Sequence, residues 1–111
     1  MWIKVRKFKR NTCTAMTALP KDISRLQTAL LCFDKGEVLH TLDEMSQRAE
    51  AIHKATYLGN LKHKKVSILF SAQSELFVVN TTIWLHYNGE IFLKDDVRVP
   101  VERVLAIYFY Q

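Results

Sequence analysis

Four histidines, two cysteines and a pair of adjacent carboxylates are the residues of this chain with the most chemistry available to them. Their spacing gives that chemistry little to work with. His40, His53, His63 and His86 are scattered, and neither Cys-x-x-Cys nor His-Glu-x-x-His occurs, so no metal site is indicated. His53 falls on the polar side of a predicted helix. His86, beside Trp84 and Tyr87, reads as a surface residue rather than a base. Asp95-Asp96 has the form of a carboxylate pair, but a turn explains it more simply, because Asp tolerates left-handed backbone and bonds its own main chain. The three glycines form no phosphate-cradling loop. No nucleophile has a base partner at recognisable spacing. The expectation is a non-catalytic protein without metal or cofactor.

Binding chemistry is better represented. Lys4, Arg6, Lys7, Lys9 and Arg10 place five cations in the first ten residues with no acid among them. The formal net charge is +5, so the remaining 11 basic and 11 acidic side chains cancel and the body is neutral. Trp2, Val5 and Phe8 interleave with these cations, a pattern that can pair phosphates and stack bases. Three readings stand for this arm: a solvated tail or edge strand with Lys outward, a contact with nucleic acid or another acidic surface, and a start at Met16 with the arm belonging to a misread frame. Lys62, Lys64 and Lys65, with His63 among them, form a second basic cluster. It complements a helix C-terminus and can also reach phosphates. The aromatic set Trp84, His86, Phe92, Tyr108 and Tyr110 occupies strand positions opposite the expected inward ones. It is either a partner-binding face or second-face core.

The elements that would position these groups are legible. Residues 65–110 break into short runs rich in Val, Ile, Phe, Tyr, Trp and Thr. Asn88-Gly89 between apolar runs is a strong hairpin signal. Ala72-Gln73-Ser74 closes an earlier hairpin, Pro100 ends the fourth strand, and Val101-Glu102-Arg103 makes a helical turn before the last strand. Alternation assigns Val66, Ile68, Phe70, Val79, Thr81, Ile83, Leu85, Ile91, Leu93, Val97 and Val99 inward. The final run, residues 104–110, is apolar on both faces.

Two helices are expected before this. Pro20 can open the first, with Ile23, Leu26, Leu30 and Phe33 on one face, Cys32 as a small core residue and Gly36 as the stop. In the second, Thr41 and Glu44 match a capping box. Leu42, Met45, Ala49, Ile52 and Thr56 form its stripe, and Gly59-Asn60 ends it.

Five short strands with one helical turn before the fifth resemble SH3-like and Sm-like small barrels. That resemblance rests on strand rhythm and on the Pro-Val-Glu-Arg turn at residues 100–103. Residues 79–107 also resemble the C-terminal half of certain small bacterial proteins of unassigned function. The rhythm is similar to that of the Rof family of Rho-terminator inhibitors, barrels that bind a protein. Members of that family are typically acidic, and this chain is not.

Length and composition fit one globular domain of 111 residues with 49% hydrophobic residues. The longest apolar runs fall far short of the about 20 residues that span a bilayer. Residues 11–18 are too polar for a signal peptide core, so a cytoplasmic location with free thiols at Cys13 and Cys32 is expected. The reading is α+β: a basic arm and linker (1–19), then one domain (20–111) whose helical part (20–61) packs on a five-stranded antiparallel SH3-like small β-barrel (64–111). The function expected is binding of RNA or DNA through the basic arm. The alternative is a protein-interaction or self-association module using a strand edge or the aromatic face.

Overall fold

A computed structural model describes residues 2–3, 20–33 and 35–110. The basic arm at residues 4–10 and Cys13 lie outside them. Eight strands and two helices are present among the described residues: β1 (Trp2–Ile3), β2 (Lys21–Ile23), α1 (Arg25–Thr28), α2 (Leu42–Lys62), β3 (Val66–Ala72), β4 (Glu75–Thr81), β5 (Ile83–Tyr87), β6 (Glu90–Leu93), β7 (Arg98–Pro100) and β8 (Val104–Tyr110). The chain is α+β, as expected, with its strands in two sheets. One is five-stranded in the order β1-β8-β3-β4-β2, and its outermost strand β1 is only two residues long. The other is the antiparallel meander β5-β6-β7.

The expected five-stranded barrel is therefore corrected. Among the described residues no ladder closes the two sheets on each other. The apolar run from Glu75 to Tyr87 is broken at Thr82, between β4 and β5, and there the chain passes from one sheet to the other. The core fills the space between the sheets. Val66, Ile68, Phe70, Val79, Val104 and Ile107 from one meet Ile83, Ile91, Leu93, Val97 and Val99 from the other, with Ile52 and Ala55 of α2 beside them.

The turns follow their local chemistry. Asn88 and Gly89 both take positive φ (55° and 81°), as a type I′ hairpin needs. Gln73 and Ser74 do the same between β3 and β4. Asp95 and Asp96 are left-handed (64° and 63°), and the Leu93 N–H donates across their turn to Val97 O at 2.7 Å. Residues Val101–Arg103 form the expected helical turn after Pro100.

The first expected helix is the main local correction. Residues 21–23 form β2, parallel to β4, with Lys21 opposite Phe77 and Ile23 opposite Val79. Only one helical turn, α1, follows, with Ser24 and Gln27 capping each other's backbone N–H groups. A short isolated helix is marginal in water, whereas an open sheet edge offers immediate backbone partners. Leu26 and Leu30 are exposed rather than inward, as is Cys32. Thr28 is the buried residue of α1, its hydroxyl donating to Ser24 O. Gly36 does not stop a helix. It lies at φ +114° in a strap that crosses the turn before β8, where Val38 N–H donates to Glu102 O and Gly36 N–H to Glu102 Oε2.

Helix α2 begins as expected, with the Thr41–Glu44 capping box formed in both directions. Its buried stripe is Arg48, Ile52, Ala55 and Gly59, so the expected stripe is rotated, and only Ile52 is common to both. Leu42 and Ala49 face solvent. Arg48 can sit inward because Glu37 of the strap pairs with it in a two-pronged contact (2.6 and 2.7 Å) and Val104 O accepts from it at 3.1 Å. The helix also runs past Gly59-Asn60. It closes at His63, left-handed at φ 53°, whose N–H donates to Gly59 O while Lys64 N–H donates to Leu58 O. Gly59 has another role. It lets the helix lie directly on the β4–β5 bend, where an added Cβ would collide with Ile83 O and sit 2.9 Å from Thr82 Cγ2. No helix among the described residues is long and apolar enough to cross a membrane.

Candidate nucleic-acid interface

The end of α2 and the start of β5 meet at this corner. Asn60 fastens them together: its side-chain amide donates to Trp84 O of β5 and to Thr56 O of its own helix, both at 2.8 Å. Trp84 is the extra residue of a β-bulge. Ile83 faces Leu93, Leu85 faces Phe92, and Trp84 has no opposite partner on β6. The bulge inverts the alternation downstream. Leu85, expected inward, points outward with Phe92 and is 50% exposed. His86 moves to the side of Ile91, towards α2.

Two ring contacts tie the helix to this strand. His63, held by its left-handed cap, stands edge-on to Trp84 with ring centroids 5.6 Å apart and planes at 66°. His53 stands edge-on to His86 at 6.2 Å and 78°. Tyr57 lies one helical turn from both His53 and Asn60 and is exposed, as is Tyr87 at the end of β5.

The sequence that ends α2 and opens β3 carries charge of one sign, with Glu50 one helical turn before His53 and Glu90 opposite Tyr87 as the neighbouring acids. Residues 51–74 contain Lys54, Lys62, Lys64 and Lys65 and no acid. Lys62, Lys64 and Lys65 are exposed and make no ion pair with another described residue. The acid that follows in sequence, Glu75, is at the far end of the β3–β4 hairpin, paired with Lys21 at 2.8 Å. Other acids are held by arginines: Asp95 by Arg25, Glu37 by Arg48, Glu90 and Asp96 near Arg98. Lys54 sits over the Phe109 ring at 4.9 Å.

The basic cluster at residues 62–65 and part of the aromatic set are thus neighbours, joined by His63 and Trp84. The rest of the aromatic set is elsewhere. Phe92 lies on the outer face of the β5-β6-β7 sheet under the Arg98 guanidinium, 5.1 Å from its ring. Tyr108 is buried on the second face of the larger sheet with Leu69 and Ala106, and burial pushes its phenol up to about 12. The Tyr110 hydroxyl meets Ser67 Oγ at 3.1 Å on the same sheet. Lys4, Arg6, Lys7, Lys9 and Arg10 lie outside the described residues. Sequence reasoning missed His53, His63 and Asn60 as parts of one constellation, because nothing local marks which strand a helix will lie against.

Glu-x-x-His spacing occurs at Glu37–His40 and Glu50–His53, yet among the described residues no three of His, Cys, Asp or Glu converge as a metal-ligand group. Comparison with protein-family models, with curated proteins and with solved structures found no match.

Proposed function

We propose that this chain is a non-catalytic binding module whose partner is nucleic acid, held at the corner of α2 and β5. The observation that carries this reading is the meeting of Lys62, Lys64 and Lys65 with Trp84 through His63, in a stretch without acids. Cations supply the sequence-independent attraction to phosphates, and a ring held among them supplies a surface for bases. Lys4, Arg6, Lys7, Lys9 and Arg10 would extend the same attraction. The fold we propose for the module is SH3-like in its succession of strands, with the two sheets left unclosed, and the location we propose is the cytoplasm. The strand succession supports it: an antiparallel β3–β4 hairpin, a bend into the β5-β6-β7 meander, one helical turn, and β8 returning beside β3.

The test is an anisotropy titration of labelled RNA and DNA against the full chain at several salt concentrations, alongside the triple variant Lys62→Gln, Lys64→Gln, Lys65→Gln. Each lost phosphate contact should flatten the salt dependence by about 0.7–0.9 in log–log slope, so the triple variant should lose roughly 2–3. An unchanged slope would remove this corner from the interface.

A second reading is favoured by Leu85 and Tyr87, 50% and 69% exposed along β5. These would serve a protein partner, the kind of ligand that a likeness to the Rof family implies. That binding would change little with salt, because its source is apolar area.

A further inference from the structure

We infer that the α2–β5 corner takes single-stranded rather than duplex nucleic acid, with a base stacked on Trp84 while residues 62–65 hold the flanking phosphates; this rests on the nucleic-acid reading above and adds the form of its ligand. The corner offers a ring and short-range cations. It has no helix end or ribbon free to enter a groove, since α2 terminates against β5 at His63 and Asn60. Paired bases in a duplex hide their faces, and only an unpaired base can lie on a side-chain ring. Trp84 is half-buried, and its position is set before any ligand arrives: its carbonyl is fixed by Asn60, its ring is met by His63, and its backbone is fixed in the bulge. A ring already ordered costs little conformational entropy on binding. Tyr57, exposed and one helical turn from Asn60, offers a further ring on the helix side of the corner. The absence of acids through residues 51–74 suits a polyanion, whereas an apolar protein partner would need no such exclusion.

The experiment needs no variant at its first step. The full chain is titrated with three probes of equal length: a single-stranded oligothymidylate, the duplex of that sequence, and an abasic strand carrying the same phosphates. The single strand is expected to bind at least about tenfold tighter than the abasic strand, from base–aromatic stacking, and tighter than the duplex. Trp84→Phe should keep most of that preference. Trp84→Ala should lose it, and circular dichroism reports whether that variant is folded. Equal affinity for the single strand and the abasic strand would overturn the stacking inference and leave phosphate binding standing. Tighter binding of the duplex would overturn it as well. Failure to bind any of the three at low salt would overturn both this inference and the proposed function, and would turn attention to a protein partner.

Discussion

Gly59→Ala should destabilise this protein, although the same change in an ordinary helix interior would stabilise it. Alanine gains about 1 kcal/mol over glycine from helix propensity. Here the new methyl would fall on Ile83 O, a backbone atom of the bend between the two sheets, and within 2.9 Å of Thr82 Cγ2. A backbone oxygen cannot rotate aside, so α2 must retreat from β5. Overpacking of this kind costs about 1–3 kcal/mol. Retreat also stretches the Asn60–Trp84 hydrogen bond, now 2.8 Å, which contributes about 1 kcal/mol. Taking about 2 kcal/mol for strain, about 1 for the bond, and subtracting about 1 for propensity leaves a net loss of about 2 kcal/mol. Thermal unfolding followed by circular dichroism should show a Tm about 8–16 °C lower, given roughly 4–8 °C per kcal/mol in small domains. The same retreat separates His63 from Trp84, so oligonucleotide affinity should fall even at temperatures where the variant is fully folded. A variant as stable as the parent, or more so, would refute the close approach and with it the way α2 is set on the β4–β5 bend.

Two further outcomes follow from the titrating groups. Burial pushes the Glu37 carboxyl up, but the Arg48 hydrogen bonds and charge, with the N–H groups of Leu39 and Val38, outweigh it and hold the group below its ordinary 4.5. A depressed folded value means that this pair stabilises the fold above about pH 4.5 and loses its contribution as pH falls through the folded value. Glu37→Gln should therefore cost about 2 kcal/mol in urea unfolding near neutral pH, below the 3–5 of a fully buried broken pair because Glu37 keeps 29% exposure. The difference from the parent should shrink on acidification; a gap that is constant from neutral pH to well below the ordinary value would contradict the pairing. Tyr108 should give a late phenolate transition in ultraviolet absorbance, at about pH 12 or together with unfolding, and Tyr108→Phe should remove that component. Ionisation of every tyrosine in one step near pH 10, with native circular dichroism retained, would place Tyr108 outside the core.

What could be read from the sequence was whatever local chemistry decides. The Thr41–Glu44 box opens α2 because both partners lie within one turn. Asn88-Gly89 and Asp95-Asp96 turn the chain because their own backbones favour positive φ. Inward alternation holds for Val66, Ile68, Phe70, Val79, Ile91, Leu93, Val97 and Val99, where strands are regular. It fails at Leu85, because one bulged residue exchanges the faces of everything after it. Residues 21–23 carry a helical pattern yet form a strand, because the open edge of β4 competes with a helix too short to hold itself. The stripe of α2 was misplaced because a buried arginine looks polar until its partner is known. That partner, Glu37, comes from a strap with no pattern of its own.

The candidate site is made of these same exceptions, which is why sequence reading divided it between two unrelated patches. The glycine expected to stop α2 instead lets the helix pass close over the bend and continue to Lys62. The left-handed residue that does stop it is His63, and that geometry turns the imidazole towards β5. The bulge in β5 leaves Trp84 unpaired on β6 and available to both Asn60 and His63. It also sends His86 to the helix side to meet His53. Without the bulge, regular alternation would put Leu85 with Ile83 on the core side and place His86 on the outer face, away from α2. Leu85 would then be buried rather than half-exposed. A strand selected for stability alone would keep that regular pairing. Giving it up exposes a leucine and brings the His86 and Trp84 rings against those of α2. That exchange is the physical ground for proposing a binding surface at this corner rather than on the regular outer face of the meander, where Arg98 already covers Phe92.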